Sequence, residues 1–245
     1  FALKAVEAPG IVEPLLQLAG RADLATERRA GVLVLAAGQA SAEELDRIMA
    51  ATERLGVAPV ERMKLLERIA EATADRRVGP ASGCPSAIDG IASDDPAARR
   101  SAIRIATIWR LTAAIEPLAE LARSTDDDAT FSAAIAALGR IDTDASRAAF
   151  LGLAQAARSP SRIARMLGER SRFDAVGSVA PIVEFLGEPR SEAEVVEAIG
   201  PLLGRQDGAA AMLSGLAGRT IDADAARLAI RAARSAPRPD ETLIE

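Results

Sequence analysis

The stretch IEPLAELA at residues 115–122 repeats, almost letter for letter, the VEPLLQLA of residues 12–19. Three phrases fall into register around it. PLAELA, AFLGLA and PIVEFL begin at Pro117, Ala149 and Pro181, which places each start 32 residues after the last. Leu213 and Leu216 in MLSGLAG continue the series one residue short. The longer segments AIRIATIWRLTAAIEPLAELA (102–122) and AIAALGRIDTDASRAAFLGLA (134–154) have equal length and begin and end alike. Self-similarity at a fixed period in this range is the signature of a chain built from stacked supersecondary units.

Each unit reads as two helices. Ala134, Ala137 and Leu138 fall at i, i+3 and i+4, an apolar helical stripe. Gly139 to Asp142 then reads as the turn, with Gly as the C-terminal signal and Asp142 as the cap of the next helix. That next helix is expected to bury Ala149, Phe150, Leu153 and Ala154. Asp126-Asp127-Asp128 and Asp94-Asp95-Pro96 open two units, and Pro96 suits a first helical position. Ser41/Glu44 and Ser191/Glu194 have the spacing of capping boxes. The N-terminal third follows the same rhythm, predicting helices over 11–20, 24–38, 42–55 and 59–74. Residues 76–95 break it and read as an irregular loop with one short helix near 86–92. That loop either divides a single stack into sub-stacks 1–75 and 96–245 or forms an insertion on one face. The last helix is expected near 223–234. No run of alternating β-branched residues marks a strand.

Two-helix units of about 32 residues, with Asp-Pro openings, an Arg in the first helix and an ALGR turn, resemble HEAT-like repeats of the bacterial type. The TPLHxA phrase of ankyrin and the Trp/Tyr positions of tetratricopeptide repeats are absent. The resemblance implies an all-α, HEAT/armadillo-like superhelix of antiparallel helix pairs. In such a solenoid the second helices line a concave face. A narrower likeness lies in Leu203–Pro239, within LLGRQDGAAAMLSGLAGRTIDADAARLAIRAARSAPRP. This stretch resembles the HEAT-repeat region of planctomycete-type haem proteins, where a similar phrase leads from a dehydrogenase-like propeller into a cytochrome c domain. The likeness implies an exported, multidomain, electron-transfer-linked parent with this segment as spacer and docking surface. Phe1 opening directly into a helical pattern, and a chain stopping at ETLIE, fit a segment of a longer protein.

Composition excludes several functions. The chain has 49% hydrophobic but only 2% aromatic residues, so Ala, Leu, Ile and Val must fill its core. A net charge of −5 lacks the basic footprint of a duplex DNA binder, and few aromatics remain to stack single strands. No apolar run approaches the roughly 20 residues a membrane span needs. The absence of His and Tyr removes the commonest general base, metal ligand and a frequent acid. Cys84 has no CxxC partner, so neither zinc nor covalent haem is expected in this segment. It reads as a small residue tucked under a loop. Asp126–Asp128 carry enough oxygens to suggest Ca²⁺ or Mg²⁺, yet read more simply as a cap plus solvated charge. Trp109, where a first helix closes, reads as core. Glu13, Glu116 and Glu184 recur at matching repeat positions and read as solvent-facing helix starts.

No catalytic, cofactor-binding or metal-binding residue is therefore expected, and the planctomycete resemblance implies haem c in an adjoining domain of the parent. The candidate partner-docking residues are Arg227, Arg231 and Arg234, spaced 4 and 3 on one helix face, with Arg238 beyond them. Arg162 and Arg165, near Arg170 and Arg172, form a second group. Guanidinium groups suit carboxylates, and a solvated outer face is the competing account. The expected partner is an acidic protein surface, above all the next domain of the same chain. A free-standing adaptor binding a peptide or protein is the alternative. A HEAT-type enzyme such as a DNA glycosylase or bilin lyase finds no supporting residue.

Overall fold

The computed structural model describes residues 10–219 and 221–235. Phe1, Arg238 and the closing ETLIE lie outside them. Every regular element among the described residues is helical. The order is α1 (Val12–Ala19), α2 (Thr26–Ala37), α3 (Ala42–Glu53), α4 (Pro59–Thr73), α5 (Pro85–Ile91), α6 (Pro96–Ile108) and α7 (Ile115–Ser124). It continues with α8 (Asp128–Ile141), α9 (Asp144–Leu151), α10 (Pro160–Phe173), α11 (Ala175–Phe185), α12 (Glu192–Leu203), α13 (Gly208–Leu216) and α14 (Ala223–Arg234). The protein is all-α, as its residue periodicity predicts.

The chain divides into two compact units, Phe1–Leu121 and Ala122–Glu245. In the first, α2, α4 and α6 pack successively on one another, with α1 and α3 against them and α5 on α6. Segment 76–95 lies inside this unit. It is held there by the short helix α5, whose Ala87, Gly90 and Ile91 are buried. In the second, α8, α10, α12 and α14 pack in succession, while α11 packs on α10 and α13. One apolar cluster fills much of this unit, running from Ala164 and Leu167 through Ile182, Ile199 and Leu202 to Ala225.

Side-chain caps explain where α6, α8, α10, α12 and α14 begin. Asp95 accepts from the amides of Ala97 and Ala98, Asp127 from Thr130, Ser159 from Arg162, Ser191 from Glu194, and Asp222 from Asp224 and Ala225. Each side chain satisfies first-turn donors that no helical carbonyl can reach. The Ala98 and Ala97 amides hold the Asp95 carboxyl below the usual carboxylate range. Its cap is therefore at full strength above that range and lost as acid protonates it. Both expected capping boxes form, at Ser41/Glu44 and Ser191/Glu194. A third, at Thr143/Ser146, uses a serine in the Glu position.

Three local expectations are corrected. Helix α8 runs straight through Gly139 and stops at Ile141, because Leu138 and Ile141 extend its buried stripe by one more turn. Asp142 takes the left-handed conformation that ends it (φ 54°), and Thr143, not Asp142, caps α9. Helix α9 closes at Leu151, so Ala154 lies beyond it and is exposed, whereas Phe150 and Leu153 are buried. Helix α11 starts at Ala175 and ends at Phe185, so Glu184 lies in its last turn and not at a helix start.

Candidate functional site

The two arginine groups meet different fates. On α10, Arg162 points back over the start of α8. Its Nε donates to Asp128 Oδ1 at 2.7 Å, and its Nη atoms donate to the carbonyls of Thr125 and Asp126. The guanidinium also stacks 4.7 Å from the Phe131 ring centroid. Only 13% of this side chain is exposed, so Arg162 is a strap between elements and not a free surface cation. The aspartate triplet is consumed in the same construction. Asp127 caps α8, Asp128 pairs with Arg162, and Asp126 lends its carbonyl.

Arg165 reaches across to α12. Its Nη2 donates to Glu197 Oε2 at 3.2 Å, while its Nε lies 2.6 Å from Oε1 but off the N–H direction, making an ion pair without a hydrogen bond. Arg170 pairs with Asp174 and Arg172 with Glu169, both within a turn. Every arginine of this group therefore has an acidic neighbour in place.

The α14 group stays on the surface. Arg227 pairs with Asp224 in the same helix, and Arg231 reaches Glu192 at the start of α12. Arg234 is exposed. The opposite side, with Ala225 buried and Leu228, Ala229 and Ala232 half-buried, packs on the apolar cluster. The spacing of these arginines thus correctly places one face outward. Acids from α14 and α12 stand among them, and the sequence spacing could not show the second.

Trp109 is core, as expected: it is buried and donates its Nε1–H to Thr73 Oγ1 at 2.9 Å. Cys84 is buried, and burial raises its thiol pKa, which keeps it in the unreactive protonated form. Among the described residues no helix is long and apolar enough to cross a membrane.

A feature that no sequence pattern announced lies in the second unit. A cavity of about 450 Å³ opens between α9, α10 and α11. Phe150, Ile163, Met166, Leu167 and Phe185 form its apolar walls, and Leu151, 45% exposed, stands at its lip. Four charged residues surround it, and their pairing is unequal. Arg170 is matched by Asp174. Arg190 stacks 4.3 Å from the Phe185 ring centroid, donates to the Phe185 carbonyl and pairs with Glu188 at 2.6 Å. Glu184 is exposed and has no ion pair or hydrogen bond among the described residues.

Neither a protein-family model nor a curated protein sequence matches the chain.

Proposed function

We propose that the chain is a HEAT-like, non-catalytic interaction and spacer module of a larger exported, haem-containing, dehydrogenase-like electron-transfer protein. The observation that supports the modular reading is the even placement of the caps. Asp95, Asp127, Ser159 and Ser191 each open a helix 32 residues after the last, and Asp222 follows at 31. Helices α8, α10, α12 and α14, which the last four of these open, pack neighbour on neighbour. Contacts between such neighbours join residues about one period apart, as in Arg162–Asp128 and Arg165–Glu197. A chain built this way offers surface and length instead of a reaction centre.

The haem context rests on the likeness of Leu203–Pro239 and assigns no haem ligand to this chain. The test is to express the full-length parent, digest it, and map any covalently haem-bearing peptide by mass spectrometry. A haem peptide carrying CxxCH outside residues 1–245 supports the reading. A parent without covalent haem removes the electron-transfer context and leaves a binding module. The second reading, an adaptor for a protein or peptide, is favoured by one specific observation, the apolar cavity with its exposed lip at Leu151.

A further inference from the structure

The cavity between α9, α10 and α11 combines three properties. It has apolar walls, a volume within the roughly 300–1,000 Å³ of sites that engulf ligand groups, and one uncompensated charge at the mouth. The charge balance identifies the occupant. Arg170 and Arg190 are each held by their own carboxylate, so neither is available to recruit an anion. Glu184 is available, and it is negative. An apolar group entering alone would leave Glu184 partly desolvated and unpaired, whereas a cation beside that group would pair with it. Leu151 continues the apolar surface outward past the mouth, so the complementary ligand extends beyond the cavity.

We propose that this cavity docks a segment of a partner protein that carries two neighbouring large apolar side chains and an adjacent lysine or arginine. The apolar pair fills the space between Phe150, Met166 and Phe185, and the cation meets Glu184. This inference rests on the reading of the chain as a binding module but is independent of any haem domain.

The test begins with random twelve-residue peptides displayed on phage and selected on the full 1–245 chain. Counter-selection uses Ala154→Trp, which places an indole at the cavity mouth from an exposed position outside the flanking helices. The expected consensus is an apolar pair flanked by Lys or Arg. A labelled consensus peptide, followed by fluorescence anisotropy, should lose about tenfold or more in affinity for Ala154→Trp and for Glu184→Lys. The same peptide with its cation changed to Glu should regain affinity for Glu184→Lys. Peptides that bind Ala154→Trp equally well overturn the cavity proposal while leaving a binding module elsewhere on the chain. A consensus without a cation, or indifference to Glu184→Lys, overturns the assignment of the partner's charge. Failure to enrich any peptide overturns the proposal outright.

Discussion

The contact of α4 with α6 and that of α10 with α12 join equivalent kinds of neighbours in the two units, but they are sealed differently. Between α4 and α6 the seal is polar and made by side chains. Ser101 donates to Glu67 at 2.6 Å, Arg104 bridges Glu67 and Glu71, and Trp109 donates to the buried Thr73. Between α10 and α12 the Arg165–Glu197 pair is backed by a close approach of backbones. Pro201 inside α12 has no N–H, which leaves the Glu197 carbonyl without its helical donor. Gly168 of α10 lies directly against that carbonyl, and a Cβ at position 168 would collide with it. Two adjacent helices can thus be registered by hydrogen-bonding side chains or by the absence of one side chain. The second route is the less forgiving, because backbone cannot move aside.

The largest expected effect follows from that difference. Gly168→Ala puts a methyl group into the Glu197 carbonyl and within 3.3 Å of Pro201 Cγ, so α10 and α12 must separate. The expected loss is about 3 kcal/mol, the upper part of the range for overpacking a core. It should appear as a lower urea midpoint in far-UV circular dichroism. An unchanged midpoint would show that the two backbones have room to slide and that the seal is not a close approach.

The contrast between these seams also explains what the residues disclosed in advance. Helix positions were legible because their causes are local. Pro96 after Asp95, Ser41 before Glu44 and the 223–234 stripe each carry their signal within a few residues, and the helices begin there. The seams were not legible, because Thr73 becomes a partner for Trp109 only across 36 residues, and Gly168 means nothing until Pro201 frees a carbonyl. The arginines fall between these cases. The face of Arg227, Arg231 and Arg234 could be read from spacing, but Arg162 was read as a surface cation when it is a nearly buried strap. Sequence shows a guanidinium and its own helix, whereas its acceptors lie in the turn before α8 and at the first residue of α8. The cavity was least legible of all, since it is formed by what three helices fail to fill.

An intermediate effect tests the polar seal. Thr73 is fully buried, donates to the Ala70 carbonyl and accepts from Trp109. Thr73→Val keeps the shape and strands the indole N–H in the core, which should cost roughly 2 kcal/mol. Trp109 is the only tryptophan in the chain, so its emission follows this unit during urea unfolding. The double variant Thr73→Val with Trp109→Phe should lose less than the sum of the single variants, because it has no stranded donor. Strict additivity would mean that the 2.9 Å contact contributes nothing beyond packing.

The smallest effect is the control that gives the Gly168 result its meaning. Gly200 also lies inside a helix of the same unit, α12, one residue before Pro201. A Cβ built there meets nothing within 4 Å. Gly200→Ala should therefore shift stability by no more than about 1 kcal/mol, because alanine's smaller conformational loss in a helix is opposed by its Cβ against the Pro201 ring. Two identical substitutions, on neighbouring packed helices, are thus expected to differ sharply in size. The excess cost at position 168 reports the folded contact of Gly168 with the Glu197 carbonyl. If Gly200→Ala cost as much as Gly168→Ala, the preference for glycine would not come from the Glu197 carbonyl, and the close approach would lose its role as the seal between α10 and α12.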